Sequence, residues 1–361
     1  MADLTRRALL HLGAGGVAGA CALSAALDQS VSRVRRPVEL ATSGTPLAPP
    51  PPPSGPTVFP IPATSPLGTG KARAISFGGG GEWFTFWTLA YCMEAKNHGV
   101  DFENVDLTIG TSAGSIVGSF VSSATVSEAY SRLAPLAADP DVLARMVVTN
   151  TGAPSQQRAT EVLGSATSTD YQSLLEIGRA AMAARNTPVA TYTAALTKLL
   201  GGTSWPSSKH HTTAVDCYTT ELVVVSSDSG IDIATACAAS SSLPGVNGPV
   251  WLGDHYCMDG GVSPSSTHSD ILAGAQRVII FSLFSAPPPS GSFGLAMRVN
   301  PNEIHEEVSF LESTGSKVKL ICADPDSGTN FMDPAQLAHA MALGAQRAQS
   351  DINDLKSFWG D

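Results

Sequence analysis

With 361 residues, the chain has room for one large domain with tails or for two smaller domains. Hydrophobic residues make up 43% of it and charged residues only 14%, which excludes a largely disordered protein. The formal net charge of −10 argues against a nucleic-acid partner, because an acidic surface is not attracted to phosphate backbones.

The N-terminal segment, residues 1–34, is typical of an export signal. Residues 4–10 contain the pair Arg6-Arg7 and resemble a twin-arginine motif. The following run, residues 8–27, is uncharged apart from His11, but glycine and other small residues interrupt it too often for a membrane span. We therefore expect a secreted or cell-envelope protein, and a cytoplasmic one if this segment is only a tail.

Residues 35–70 are rich in Pro, Ser, Thr and Gly and include the unbroken run Pro49–Pro53. This composition favours extended polyproline geometry and buries little surface, so it predicts a linker. The folded domain is expected to cover residues 71–361.

Two strand–turn–helix units open this domain. The first consists of an apolar strand at 72–77, four glycines at 78–81 and a helix at 83–96. The second consists of a strand at 105–109, a tight turn at 110–114 and a helix at 115–122. Alternation of this kind predicts a three-layer α/β/α fold with a mainly parallel central sheet.

The middle of the domain, residues 125–215, is predicted to be helical, with its clearest segments at 171–184 and 189–200 and no strong strand. We interpret it as a helical insertion or a lid. Further strands are predicted at 221–226, 277–284 and 317–323, and a long amphipathic helix at 333–358.

Gly110-Thr111-Ser112-Ala113-Gly114 has the G-x-S-x-G pattern of a nucleophile elbow. Ser112 would project from a sharp strand-to-helix turn, where Gly110 and Gly114 allow the two elements to pack closely. The pattern also occurs by chance in ordinary glycine-rich turns. Its position directly after a predicted strand favours a nucleophile.

The four glycines Gly78, Gly79, Gly80 and Gly81 do not fit a nucleotide site. The dinucleotide pattern G-x-G-x-x-G fails at its last position, and no Gly-Lys-Ser/Thr follows for a phosphate loop. Unobstructed amides at a helix N-terminus fit an oxyanion hole instead, because parallel strands would bring this turn to the same sheet edge as Ser112. A close-packing turn without function is the alternative.

Asp259-Gly260-Gly261 is a weaker signal, since Asp-Gly is more often a turn than a catalytic group. It becomes informative in combination with the serine turn and the glycine loop, because an acid could then act as the base.

These landmarks occur in an order that resembles the patatin-like phospholipases. The glycine loop is followed by G-T-S-A-G, then by A-S-S-S-L-P-G at 239–245, and then by D-G-G at 259–261. Together they cover residues 72–285 and are much more specific than any one alone. The middle helical region and the C-terminal helix contribute little to the resemblance.

The resemblance implies a lipid acyl hydrolase of the phospholipase A type, with a Ser–Asp dyad and without metal or cofactor. Ser112 would attack the acyl carbonyl, Asp259 would accept its proton, and the 78–81 amides would hold the oxyanion. The expected partner is a lipid or acyl-ester substrate, with room for transient membrane contact. Glu82 is a departure, since the family often has a basic residue shortly after its glycines, and a neutral ester is as consistent with the sequence as a phospholipid.

Two alternatives remain at this stage. One is an α/β-hydrolase triad of Ser112, an acid and His339, although His339 lies in the middle of a predicted helix. The other histidines weighed against a dyad are His255, His268 and His305. The second alternative is a catalytically silent lipid-binding module that keeps the fold and its pocket.

The remaining histidines, the cysteines and some of the aromatic residues are expected to have structural roles. His210-His211 lacks partner ligands and is expected in a solvated loop. Five cysteines of the domain form no C-x-x-C motif, so a zinc or thiol-redox site is not supported and burial is expected: Cys92, Cys217, Cys237, Cys257 and Cys322. Of the four aromatic residues at 83, 84, 86 and 87, we expect two in the core and leave the others open to line an acyl pocket.

Overall fold

A computed structural model describes residues 61–62, 66–139, 152–287 and 294–360, the first pair by its backbone only. The predicted export segment and most of the predicted linker lie outside these ranges. Among the helices that are described, none is both long and apolar enough to cross a membrane.

A nine-stranded sheet forms the centre of the domain, and five of its strands run parallel in the order β4-β3-β2-β8-β9. The remaining strands pair in antiparallel fashion: β5 with β4 and β1, and β7 with β4 and β6. The strands are β1 (Ile61–Pro62), β2 (Arg73–Phe77), β3 (Leu107–Gly110), β4 (His210–Asp216), β5 (Leu222–Val225), β6 (Val250–Leu252), β7 (His255–Asp259), β8 (Arg277–Ser282) and β9 (Lys317–Cys322).

Helices cover both faces of the sheet, which confirms the predicted three-layer α/β/α fold. Because both faces are covered, the central strands are apolar on both sides. In β2, Ile75 and Phe77 pack on one side and Ala74 on the other. The helices are α1 (Gly81–Asn97), α2 (Ala113–Ser122), α3 (Val126–Ala137), α4 (Pro154–Ser165), α5 (Tyr171–Ala183), α6 (Val189–Leu200), α7 (Ile233–Ser240), α8 (Leu295–Val299), α9 (Glu303–Ser313) and α10 (Leu337–Trp359).

Strand β4 is absent from the sequence prediction, which treated 125–215 as free of strong strands. The prediction of a solvated loop at His210 is also wrong, because this side chain is 0% exposed. Its ring bonds Thr108 Oγ1 at 2.8 Å through Nδ1 and the Ser115 carbonyl at 2.8 Å through Nε2. Burial lowers the pKa of His210 to about 3. The polar run looks like a loop in the sequence because hydrogen bonds that satisfy buried polar groups depend on tertiary neighbours.

Contacts of the domain begin before Lys71. Ile61 pairs with Val224 in the sheet, and the Leu67 N–H donates to the Ile271 carbonyl at 2.7 Å. The end of the Pro-rich segment is therefore attached to the sheet.

The first and last helices, α1 and α10, pack closely on one face of the sheet. All four aromatic residues at the start of α1 are buried there: Trp83, Phe84, Phe86 and Trp87. Gly344 of α10 faces the backbone of α1, and a Cβ built on it would lie 2.1 Å from the Trp87 carbonyl oxygen. The two helices can approach this closely only because no side chain stands at position 344.

Replacing Gly344 by Ala should therefore destabilise the domain by about 1–3 kcal/mol, the usual cost of overpacking a core contact. The free energy of unfolding, measured by urea denaturation followed by circular dichroism, checks this. Gly164 in α4 is a matched helical control, because nothing lies within 4 Å of a Cβ built there. Gly164→Ala should leave stability unchanged or raise it by up to about 1 kcal/mol. Equal effects of the two substitutions would contradict the packing argument.

Candidate active site

Ser112 stands at the turn between β3 and α2 in a strained conformation, with φ 54° and ψ −119°. For a residue other than glycine such a backbone costs about 1–3 kcal/mol, and strain of this kind clusters at functional sites. Neighbouring glycines permit the bend, since a Cβ on Gly110 would lie 2.4 Å from the Gly114 carbonyl oxygen. A Cβ on Gly114 would lie 1.9 Å from the Phe77 carbonyl oxygen. The geometry is that of a nucleophile elbow.

Asp259 lies at the end of β7, where its partner in the adjacent strand β4 is Ala214. Its side chain is 3% exposed. The Gly261 N–H donates to Oδ1 at 2.8 Å, and the Ser112 hydroxyl donates to the same carboxylate. Burial raises the pKa of Asp259 to about 6, although both hydrogen bonds act to lower it. The result is a carboxylate that is ionised at neutral pH yet readily accepts a proton.

The end of α7 joins the two halves of the site. The Ser112 N–H donates to Ser240 Oγ at 2.9 Å, and the Gly260 N–H donates to the Ser240 carbonyl at 3.2 Å. The Asp259 N–H donates to the Ser242 carbonyl at 3.0 Å. Ser240 and Ser242 belong to the A-S-S-S-L-P-G segment, a landmark to which the sequence alone assigned no role. This segment, residues 239–245, is called the bridging segment below, because it connects the serine elbow to the base loop, residues 259–261.

The glycine loop lies beside the nucleophile, since a Cβ on Gly79 would be 3.3 Å from Ser112 Cβ. Two of its four amides are already used: the Gly78 N–H donates to the Phe281 carbonyl at 2.9 Å, and the Gly79 N–H to the Ser266 carbonyl at 3.2 Å. Among the residues the structure describes, the amides of Gly80 and Gly81 have no such acceptor. Of the four amides in the predicted oxyanion hole, two are thus without a hydrogen-bond acceptor within the described ranges.

The first amide of α2 is also without an acceptor, and the sequence prediction did not include it. Ala113 follows the nucleophile directly, and its N–H bonds no acceptor within the described ranges. Amides in the first turn of a helix have no intrahelical partner, and the helix dipole favours negative charge there. The G-x-S-x-G pattern could have identified Ala113, because the residue after the serine commonly contributes such a donor.

The rival histidines have other partners. His255 bonds Asp216 Oδ2 at 2.9 Å from the opposite end of β7. His268 bonds the Gly260 carbonyl at 2.9 Å and Ser263 Oγ at 3.1 Å through Nε2. His305 and His339 are exposed on α9 and α10. Within the described ranges, no histidine ring is hydrogen-bonded to Ser112 or Asp259.

Helix α6 brings the predicted insertion to the site. The Tyr192 hydroxyl bonds Ser241 Oγ at 2.6 Å, next to the Ser240 side chain that accepts from Ser112. Burial raises the pKa of Tyr192, and Asp259 and Glu82 raise it further through their charges. Tyr192 therefore lies within electrostatic range of both acids, and the sequence did not indicate it as a residue of the site.

Glu82 is a half-buried acid at the start of α1, directly after the Gly80 and Gly81 amides. Its Oε2 atom is buried and bonds no group among the described residues. Burial raises the pKa of Glu82 to about 7. The rim of the site thus carries a carboxyl group with an unsatisfied oxygen at the position where a basic residue is common in the family.

Metal-binding geometry does not occur in the described ranges, where no group of three or more His, Cys, Asp or Glu side chains is arranged around a common point. The five cysteines at 92, 217, 237, 257 and 322 are free thiols and buried, as their sequence context predicts.

Ionised Asp259 should destabilise the folded domain at pH values above the pKa of this residue. Its pKa rises from 3.8 unfolded to about 6 folded, so ionisation costs about 3 kcal/mol of folding free energy once complete. Asp259→Asn should therefore raise the free energy of unfolding by about 1–3 kcal/mol at pH 8. The gain should develop between pH 4 and 6 and stay constant above that window.

Urea denaturation of both proteins across this pH range measures the gain. Glu221→Gln serves as a control without a pH-dependent effect, because this exposed acid directly before β5 forms no ion pair within the described ranges. A gain that falls as pH rises would contradict the raised pKa.

Several solved structures of low sequence identity match parts of the chain. The type III effector ExoU is 16% identical with a TM-score of 0.32, and the match covers 81% of this chain and 54% of that one. VipD from Legionella pneumophila is 13% identical with a TM-score of 0.34, covering 78% of this chain and 66% of that one. ExoU from Pseudomonas aeruginosa in complex with SpcU is 14% identical with a TM-score of 0.31, covering 81% and 53%. This chain thus spans about half to two thirds of the length of these proteins.

No curated protein matches the chain at a significant level. The sequence profile of the patatin-like phospholipases, in contrast, matches residues 75–268, which is more than half of the chain. This range contains the glycine loop, the serine elbow, the bridging segment and the D-G-G turn. The chain belongs to the patatin-like phospholipase family.

Proposed function

We propose that this protein hydrolyses acyl esters of lipids through a Ser112–Asp259 dyad and an acyl-enzyme intermediate. The observation that carries the proposal is the strained serine, whose hydroxyl donates to a buried carboxylate while unused amides lie beside it. Membership of the patatin-like phospholipase family supports a lipid substrate.

In the first half-reaction, Ser112 Oγ attacks the acyl carbonyl as its proton passes to Asp259. The amides of Gly80, Gly81 and Ala113 are the proposed donors to the oxyanion. Each such donor contributes about 3 kcal/mol to the transition state in other acyl-transfer enzymes. Asp259 then returns the proton to the departing alcohol. In the second half-reaction it accepts a proton from the water that attacks the acyl carbonyl, and it returns this proton to Ser112 Oγ as the carboxylic acid product departs.

The environment of Asp259 suits a carboxylate base. A carboxylate of ordinary pKa is a weak base toward a hydroxyl group, whereas burial raises the pKa of Asp259 to about 6. Loss of the Ser112 proton to this group is therefore less unfavourable than in water. Below pH 6 the carboxyl is protonated and the base is lost.

Ser112→Ala and Asp259→Asn should each lower kcat/KM by about 10³-fold or more, because both members of the dyad act in the same step. In the wild-type protein, kcat/KM should rise tenfold per pH unit below about 6 and level off above it. Hydrolysis of short- and long-chain p-nitrophenyl esters and of lipid esters by the full chain measures both.

His339→Ala, at an exposed position of α10, is the matched control and should leave turnover unchanged. Activity that survives Asp259→Asn but not Ser112→Ala would replace the dyad by a histidine triad. An absence of turnover together with no fluorophosphonate labelling of Ser112 in the folded wild-type protein would favour a lipid-binding module instead.

The acid at position 82 favours an uncharged headgroup over an anionic one. The glycine-loop amides that would receive the oxyanion immediately precede it, so a phosphate near the scissile ester would approach its buried carboxylate. Like charges at short range in a poorly solvated site repel strongly. We therefore propose a neutral acylglycerol or a simple ester, rather than an anionic phospholipid, as the preferred substrate.

Selectivity for neutral over anionic esters should increase as pH rises through about 7, where Glu82 ionises. Glu82→Gln should remove this pH dependence, and Glu82→Arg should invert the preference. The ratio of kcat/KM for a diacylglycerol and a phosphatidylglycerol of equal chain length measures the effect. Glu94→Gln, in the last half of the same helix, is the control. A ratio that is flat with pH in the wild-type protein would refute this role of Glu82.

A further inference from the structure

Residues 265–269, which we call the anchor segment, touch both loops of the candidate site. The Ser266 carbonyl accepts the Gly79 N–H at 3.2 Å, and the Thr267 carbonyl accepts the Ser76 hydroxyl at 2.6 Å. His268 Nε2 bonds the Gly260 carbonyl at 2.9 Å, beside the base Asp259. The position of this segment therefore sets the positions of the glycine loop and the base loop.

On its other side, the anchor segment is held by two carboxylates of α9. Glu307 accepts hydrogen bonds from Thr267 Oγ1 at 2.6 Å, from the Ser269 N–H at 3.1 Å, and from the hydroxyls of Ser265 and Ser269. Glu303 lies one turn earlier and accepts from the Ser266 N–H at 2.6 Å and from Ser266 Oγ at 3.0 Å. Four of the five residues in the segment thus donate to these two side chains.

Burial of two neighbouring acidic side chains costs folding free energy unless hydrogen bonds compensate for it. Glu303 is 4% exposed, and the two acids are neighbours on one helix face. Within the described ranges neither forms an ion pair with Lys, Arg or His. Only hydroxyl and amide donors compensate their burial, and these donors come from the one segment that contacts both active-site loops.

We infer that Glu303 and Glu307 are positioning residues, which act through the anchor segment to hold Gly79 and Gly260 at the distance from Ser112 that catalysis requires. The expected effect on kcat rests on the proposed function, whereas the expected effect on the position of the glycine loop does not. Neither side chain contacts Ser112 or Asp259, so both act only through the anchor segment. Misplacement of catalytic groups by about 1 Å commonly costs 10²-fold in rate, which makes a distant anchor consequential.

The decisive variant is Glu307→Gln, which keeps the size of the side chain but places an NH₂ donor where an oxygen accepts several hydrogen bonds. We expect kcat to fall by about 10- to 100-fold with KM within about twofold of wild type, because binding surfaces are unaffected while the oxyanion donors shift. Glu312→Gln, exposed on the same helix, is the matched control and should leave kcat unchanged.

A second readout needs no turnover. Amide hydrogen exchange of the peptide that contains Gly79 should be at least several-fold faster in Glu307→Gln, whereas exchange in β9 should remain as in wild type. Merely structural damage would speed exchange throughout the domain and lower kcat only through the folded fraction. Hydrogen exchange tests the anchor even if the wild-type protein has no esterase activity. Failure of the proposed function and failure of this inference therefore give different results.

Thr267→Val is a milder variant for the case that Glu307→Gln does not fold. It keeps the shape of a buried side chain and removes only the hydroxyl that donates to Glu307. We expect a reduction in kcat of about 3- to 10-fold and locally faster exchange at Gly79. Values of kcat within twofold of wild type in whichever variants fold, with unchanged exchange at Gly79, would overturn the inference.

Discussion

Strand β4 is the element on which the candidate site depends, because it pairs with both strands that carry the dyad. Its first half lies parallel to β3, which ends at the serine elbow, and its second half lies antiparallel to β7, which ends at Asp259. A side-chain hydrogen bond of 2.8 Å between Thr111 and Thr213 reinforces this junction. The two residues of the proposed dyad, from distant parts of the chain, meet because one strand pairs with β3 along its first half and with β7 along its second half.

The electrostatics of the site follow from burial without compensating cations. Burial raises the pKa of Asp259 to about 6 and those of Glu82 and Glu303 to about 7. No described Lys or Arg forms an ion pair with these acids, and backbone amides and hydroxyl groups donate hydrogen bonds to Asp259 and Glu303 instead. In the proposed mechanism, fixed amides would stabilise a transient oxyanion at such a site, while its acids would disfavour a permanent anion nearby.

The two residues of the proposed dyad each cost folding free energy. Ser112 holds a left-handed backbone conformation, and Asp259 carries a charge in a poorly solvated place. The packing of α1 against α10 and the apolar strands on both faces compensate for these local costs. Such a trade-off is common where activity requires strained or buried groups. Helix α6 takes part as well, since Tyr192 connects it to the bridging segment and thus brings part of the 125–215 region to the site.

The sequence alone determined the features that depend on local backbone chemistry. The elbow needs Gly110 and Gly114 beside Ser112, the first helix needs a glycine loop before it, and apolar runs specify strands that are buried on both faces. The family and the fold class followed from these patterns, and the matched range 75–268 confirms the family.

The tertiary structure decided the features whose stability depends on distant partners. Strand β4 opens with polar residues, and only the Thr108 and Ser115 partners of His210 explain its burial. Likewise, the sequence could not tell which glycine amides are free, because the acceptors of Gly78 and Gly79 lie near residue 280 and in the anchor segment. Local motifs specify which groups are present, whereas burial and hydrogen-bond partners come from parts of the chain that meet only after folding.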